Sequence, residues 1–261
     1  MGQSGEMIFM GTGTSQGVPV IGCNCEVCTS KDPRDQRTRS SVHFSFEHAH
    51  IQIDTGPDFR NQMLREQLAE VDAVFFTHEH QDHIAGLDDV RPMIFRTKKP
   101  MPLYAQERVI NRIKKAFHYA FEENPYPGAP KLDTYSIDDT PIVEINGVQI
   151  VPVPVFHGKL PILGYRIGDT AYITDVKTVP DASLKLLHGL KTLVFDALHD
   201  YPHQSHCTLD EAIEWAKIIG AEKTYFLHLS HHMGTHEATE QRLPEGMFVA
   251  YDGLRLTVTL D

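Results

Sequence analysis

Apolar and β-branched positions gather along this chain in short runs separated by turn residues. The runs predict strands over residues 7–10, 51–54, 71–77, 148–156, 164–167, 171–174, 192–195, 224–227, 247–251 and 255–260. The run over 71–77 is mostly apolar, β-branched and aromatic, the mark of a strand buried on both faces. Helical spacing lies between some of the strands. Residues 108–122 are one candidate, and a second helix is expected to open at 84–87. The clearest begins at Thr208. There, Thr208 and Glu211 are spaced for a capping box, Leu209, Ile213, Ala216 and Ile219 recur on one face, and Gly220 supplies a stop. The mix predicts sheets covered by helices, an α/β arrangement with much antiparallel character. The proline-rich residues 124–130 read as a loop and as the best candidate for a mobile lid.

Composition narrows this picture little. A chain of 261 residues is long enough for one large domain, and a single domain over 1–261 is expected because no repeat or low-complexity linker divides it. Hydrophobic content of 41% and charged content of 23% are ordinary for a globular protein. No run of about 18 apolar residues marks a membrane span, and the N-terminus lacks a charged-then-apolar signal pattern. The net charge of −11 argues weakly against a nucleic-acid surface, which needs basic patches. A homodimer is compatible with the sequence, though no feature argues for it.

The chemistry concentrates in the hexapeptide His78-Glu79-His80-Gln81-Asp82-His83, directly after the 71–77 strand. Four of its six side chains, His78, His80, Asp82 and His83, are read as metal ligands. The spacing lets His78 and His80 take one ion while Asp82 and His83 take a second. A water between two such ions becomes a hydroxide near neutral pH. One hexapeptide cannot fill two coordination spheres, so further ligands are expected at strand ends. His157, Asp175 and His228 each follow an apolar run. Asp54 also ends one, and it could orient a ligand histidine from outside.

Three of the four cysteines, Cys23, Cys25 and Cys28, crowd within six positions. That spacing suits a tetrahedral Zn²⁺ with one ligand still to be supplied, and it suits a reducing compartment, so cytoplasm is the expected location. His231 is the preferred fourth ligand; His232, His236 and Cys207 are alternatives. The glycine-rich residues 11–19 ahead of this cluster lack the lysine and spacing of a phosphate-binding loop, and a tight turn is expected there.

These residues closely resemble the metallo-β-lactamase superfamily, from Asp54 through the hexapeptide to His157, Asp175 and His228. The resemblance implies a four-layer αββα sandwich with a dinuclear site at its edge. It also implies that His78, His80 and His157 hold one ion, that Asp82, His83 and His228 hold the other, and that Asp175 bridges them. Within the superfamily, the Gly11-Thr12-Gly13-Thr14-Ser15 start, the cysteine cluster and His228-Leu229-Ser230-His231 are similar to the branch of the phosphoribosyl cyclic phosphodiesterases of phosphonate catabolism. That similarity implies closure of the structural zinc by His231. It also implies a catalytic histidine just before a helix, which maps onto His206, with His199 and His203 nearby.

The resemblance therefore implies a metal-dependent phosphodiesterase acting on small, including cyclic ribose, phosphodiesters. Its cofactors would be two divalent ions, Mn²⁺ or Zn²⁺, in the active site, and one structural Zn²⁺. A bridging hydroxide would attack phosphorus, Asp82 would orient it, and His206 would protonate the leaving alkoxide. The main rival is a tRNA-trailer endoribonuclease of the ribonuclease Z type. The 18 positions between His157 and Asp175 leave no room for the tRNA-binding arm common in that family. A non-catalytic, zinc-stabilised scaffold is the other alternative.

Overall fold

The computed structural model describes residues 3–260, so residues 1, 2 and 261 of the expected domain lie outside it. Two seven-stranded sheets form its centre. The first has the spatial order β14 (Arg255–Thr259), β1 (Ser4–Gly11), β2 (Ser41–Ser45), β3 (His50–Ile53), β4 (Ala73–Phe75), β5 (Met101–Ala105) and β6 (Leu132–Ser136). The second runs β13 (Met247–Val249), β12 (Lys223–Leu227), β11 (Thr192–Asp196), β10 (Thr170–Ile173), β9 (Leu160–Ile167), β8 (Val148–His157) and β7 (Val143–Ile145). In each sheet an antiparallel half leads into a parallel half, with β3 to β6 parallel in one and β10 to β13 parallel in the other.

Four layers follow from which side chains are apolar. Phe9, Phe44, Phe75, Tyr165, Tyr172 and Leu227 pack between the sheets. Their neighbours Ile8, Val74 and Phe76 point the other way. They meet α1 (Phe59–Arg65), α2 (Gln81–Ile84), α3 (Arg91–Thr97) and α4 (Glu107–Ala116). On the far side, Ile173, Phe195 and Phe226 pack under α5 (Asp181–Leu186) and α6 (Leu209–Ile219), and the short α7 (His236–Glu240) completes that layer. Strands such as β4 read as continuous apolar runs because both faces are covered. The result is the αββα sandwich. The Tyr165 hydroxyl donates to the Phe76 carbonyl at 2.6 Å and ties one sheet to the other beside the metal loop.

Several expected boundaries move. The 71–77 strand is only Ala73–Phe75, because Thr77 turns its backbone N–H to the Asp54 carboxylate. The expected helix at 84–87 instead begins at Gln81, inside the hexapeptide, and is followed by a 3-10 turn at Leu87–Val90. The 108–122 helix stops at Ala116 and gives way to a 3-10 turn at His118–Ala120. The capping box at Thr208 is present, with Glu211 N–H donating to the Thr208 hydroxyl at 3.2 Å and Thr208 N–H to the Glu211 carboxylate at 2.8 Å. Gly220, at φ 71°, ends α6 in the left-handed conformation that glycine adopts without strain. Residues 124–130 form a loop, with the Tyr126 ring packed near Tyr119 at 6.0 Å. Among the described residues no helix is long and apolar enough to cross a membrane.

Candidate metal centres

The parallel strands, and β8 running in the same direction as β10, deliver their carboxyl ends to one edge of the sandwich, where α/β sheets commonly bind ligands. Asp54 follows β3, His78 to His83 follow β4, His157 ends β8, Asp175 follows β10, Asp196 ends β11 and His228 follows β12. Asp54, Asp175 and His228 all hold positive φ, at 61°, 59° and 62°. Side chains rarely adopt that conformation, and residues held in it cluster at functional sites. Close packing fixes the loops behind them. A Cβ on Gly56 would sit 2.1 Å from the Asp82 carbonyl, and one on Gly86 would sit 2.0 Å from the Gly56 carbonyl.

Three groups of ligand atoms lie here, each within 4.8 Å of one another; one is Asp196, His206 and His228, and the other two share Asp175. His78, His80, His157 and Asp175 make one; Asp82, His83, Asp175 and His228 make the other. Asp175 is common to both. Its Oδ2 lies 3.6 Å from His78 Nε2, while its Oδ1 lies 3.4 Å from His83 Nε2 and 3.3 Å from His228 Nε2. The structure thus brings the four side chains of the hexapeptide together with His157, Asp175 and His228 at one edge.

Outer partners aim the rings. His83 Nδ1 donates to Asp54 Oδ2 at 2.7 Å. The Thr77 hydroxyl donates to the same oxygen at 2.8 Å and lies 3.0 Å from His78 Nδ1. One buried carboxylate thus orients a histidine from each group, which fits the outside role expected of Asp54. His157 Nδ1 donates to the Ser205 carbonyl at 2.8 Å. His228 Nδ1 lies 3.2 Å from Asp196 Oδ1. In each ring Nδ1 faces outward, leaving Nε2 toward the centre.

Asp196 joins the site without having been expected there, although it ends an apolar strand as Asp54 and Asp175 do. Fully buried, it lies between two imidazoles, with His206 Nδ1 at 3.4 Å from Oδ1. His206 stacks on His228 with centroids 4.8 Å apart and meets His157 edge-on at 4.5 Å. His203 is a neighbour at 5.0 Å, while His199 touches His203 and Tyr201. Of the three candidates for proton donor, His206 is the one set against the ligand rings.

The electrostatics are those of a cluster in which carboxylates and imidazoles compensate one another. Burial alone would raise Asp175, Asp82 and Asp196, but the facing imidazoles hold all three below the usual carboxylate range. Burial would lower His228, yet Asp175, Asp196 and Asp82 push it up to about 10. His83 is raised in the same way against its burial. His78 is held well below the usual histidine value by burial and by His83. Burial raises Asp54 despite His83.

The second cluster lies beyond His228. Cys23, Cys25 and Cys28 present their Sγ atoms 3.3, 3.4 and 3.5 Å from His231 Nδ1. Bond lengths of about 2.3 Å to sulfur and 2.0–2.1 Å to nitrogen, at tetrahedral angles, put N···S at about 3.6 Å. The four side chains already stand at zinc-binding separations. The alternatives are engaged elsewhere: Cys207 Sγ faces the Lys177 carbonyl at 3.7 Å, His236 Nδ1 faces Arg37 at 3.3 Å, and the His232 ring packs between His231 and Tyr201.

The donor set at the His/Asp edge suits divalent cations equally. His83 Nε2 and His228 Nε2 are buried and have no hydrogen-bond partner, although they point into the cluster. Buried polar atoms normally find one, and a cation shared with Asp82 and Asp175 would supply it. A cleft of about 910 Å³ opens beside His157, lined by Lys159, Lys177, His203, Gln204 and Ser205.

The chain is similar to known proteins over much of its length. Residues 50–229 match the model of the β-lactamase superfamily domain. A crystal structure titled as a new diphosphatase from the PhnP family superposes with a TM-score of 0.93 at 42% identity, covering 100% of this chain and 99% of that one. An octanoyltransferase of Porphyromonas gingivalis is 38% identical over 96% of this chain, which spans only 51% of that relative's length. A ribonuclease Z of Methanococcus maripaludis is 24% identical over 51% of this chain and 44% of its own. The chain belongs to the metallo-β-lactamase superfamily and, within it, to the PhnP family.

Proposed function

We propose that the chain hydrolyses small phosphodiesters, cyclic ribose phosphates among them, at the His/Asp edge. The observation that carries this reading is an imidazole, His206, set against the ligand rings of His157 and His228 and backed by the buried Asp196. His78, His80 and His157 would hold one ion, Asp82, His83 and His228 the other, and Asp175 would bridge; Cys23, Cys25, Cys28 and His231 would hold a structural zinc. When bound, the active-site ions, Mn²⁺ or Zn²⁺, supply Lewis acidity toward the phosphoryl oxygens. The residues of the chain do the rest. Asp54 and Thr77 fix the tautomers of His83 and His78. Asp82 orients the incoming water. His206, with Nδ1 toward Asp196, presents Nε2 as the proton source for the leaving oxygen. The cleft beside His157 has the size of a small-molecule site.

The PhnP-family diphosphatase favours a second reading, cleavage of a diphosphate bond. The two differ in their demand on His206. An alkoxide leaves poorly without a proton, whereas a phosphate, with a second pKa of about 6, leaves well. The octanoyltransferase name is not carried over, because the chain matches only about half of that relative. The ribonuclease Z alternative loses ground because β9 and β10 take up the stretch between His157 and Asp175.

The test is a rate panel at fixed Mn²⁺: a cyclic ribose phosphate, bis(p-nitrophenyl) phosphate, a dinucleoside diphosphate and a tRNA precursor. Small substrates are expected to outpace the tRNA. His206→Ala should cost about 10²–10⁴-fold on the ribose phosphate and much less on the p-nitrophenyl diester. Faster tRNA cleavage would sink the substrate class, and an inert, fully metal-loaded chain would favour the scaffold.

A further inference from the structure

Two residues of the hexapeptide, Gln81 and Glu79, have no part in the proposed chemistry, and of these Glu79 is held by a side chain from another element. Its carboxylate is gripped by the guanidinium of Arg108, in the first turn of α4. The same guanidinium donates to the Gln106 side-chain oxygen at 3.1 Å and to the backbone carbonyl of Pro161. Pro161 lies on β9 and pairs in register with Phe156, beside the pair His157 and Leu160. One side chain therefore joins the loop of His78 and His80 to the hairpin of His157. Those are the three histidines of one ligand group.

The other group is secured differently. Asp54 takes His83, and Asp196 stands against His228. Within the first group, His78 has Thr77 and His157 has the Ser205 carbonyl. His80 is the exception. It is exposed, its Nδ1 faces His78 Nε2 at 2.9 Å, and among the described residues no hydrogen bond anchors its other nitrogen. An unanchored ligand ring must be placed by its backbone, and the residue before it is Glu79.

We propose that Arg108 is a positioning residue for the His78/His80/His157 ion alone, acting through Glu79 and Pro161. A planar fork with several donors can hold two segments at fixed spacing, which a lysine cannot do. The proposal rests on the two-ion reading of the edge.

The test is equilibrium dialysis of the full chain against stepped free Mn²⁺, with zinc counted separately. Mn²⁺ prefers oxygen and imidazole to thiolate, so the cysteine site stays out of the titration. Wild type should show two binding steps. In Arg108→Ala one step should weaken about 10–100-fold, the range for outer partners of metal ligands, while the other moves less than twofold. Zinc content and Tm should hold. Arg108→Lys should recover only part of the loss. Glu79→Gln should match Arg108→Ala, and the double variant should be no worse than either single one, as for residues acting in one network. A single step in wild type would overturn the two-ion reading itself. Two wild-type steps with no change in Arg108→Ala, or with both steps weakened alike and a fallen Tm, would overturn the clamp.

Discussion

The cysteine cluster and the His/Asp cluster are only three residues apart along the chain, at His231 and His228, and they are assembled in opposite ways. Three ligands of the first come from one loop, Cys23 to Cys28, and His231 closes it from across the fold. The second draws on the ends of β4, β8, β10 and β12, across both sheets. A local site can be read from spacing in the sequence, and its loss should loosen one lobe. A distributed site requires the whole sandwich, so it reports on how well both sheets are placed. The surroundings differ as well: three Sγ atoms stand around one imidazole nitrogen, whereas the His/Asp edge turns buried Nε2 atoms of His83 and His228 into a cluster beside the His157 cleft.

Removing the shared carboxylate should strain the comparison most. Asp175→Ala takes a ligand from both groups, and activity should fall at least about 10³-fold, beyond the 10–100-fold typical of outer partners. Elemental analysis should find fewer than two ions at the edge with the zinc retained; full occupancy would mean Asp175 does not bridge.

Next comes Cys28→Ser. Loss of the zinc should cost on the order of 3 kcal/mol and lower Tm by roughly 6–12 °C. Because His228 and His231 share one segment, affinity at the His228 ion should also fall, whereas the His80 ion should not change. An unchanged Tm would deny the cysteine site its structural role.

Asp196→Asn sharpens the contrast within the edge. It leaves every ligand in place but removes the carboxylate facing His228 and His206. A 10–100-fold loss of activity is expected. The pH–rate profile should shift as well, since the buried carboxylate charge between two imidazoles is gone; an unaltered profile would remove the pair from the chemistry.

The smallest effect lies away from both metals. Asp169 accepts from Thr259 N–H at 3.0 Å and pairs with Lys191 at 2.9 Å, which together outweigh its burial and hold it below the usual range. A carboxylate held low stabilises the fold above the unfolded pKa of about 3.9, and that contribution is lost as pH falls through its folded value. Asp169→Asn should cost about 1 kcal/mol at pH 7 and make acid unfolding less steep. An acid transition identical to wild type would remove this carboxylate from it.

Legibility followed the same divide. The cysteine spacing and the strand-end ligands were readable because each obeys a local pattern. Asp196 obeyed it too, as Asp54 and Asp175 do, but only the fold brings His206 and His228 to it. β2 escaped because Ser41, His43 and Ser45 look like a loop. In the fold, His43 and Gln52 are buried together, with His43 Nδ1 3.2 Å from Gln52 and the Gln52 amide donating to Ser41 at 2.6 Å. Helices α1, α3, α5 and α7 are no longer than seven residues, too short for a 3.6-residue period to stand out. The positive φ of Asp54, Asp175 and His228 has no sequence signature, since glycine would be the usual choice there.

The most direct measurement is a titration of Mn²⁺ into chain carrying only its cysteine-bound zinc, following hydrolysis of bis(p-nitrophenyl) phosphate. Activity should rise from near zero to a plateau at two equivalents of Mn²⁺, with zinc constant at one per chain. A plateau at one equivalent, or a fully loaded chain that stays inert, would contradict the account.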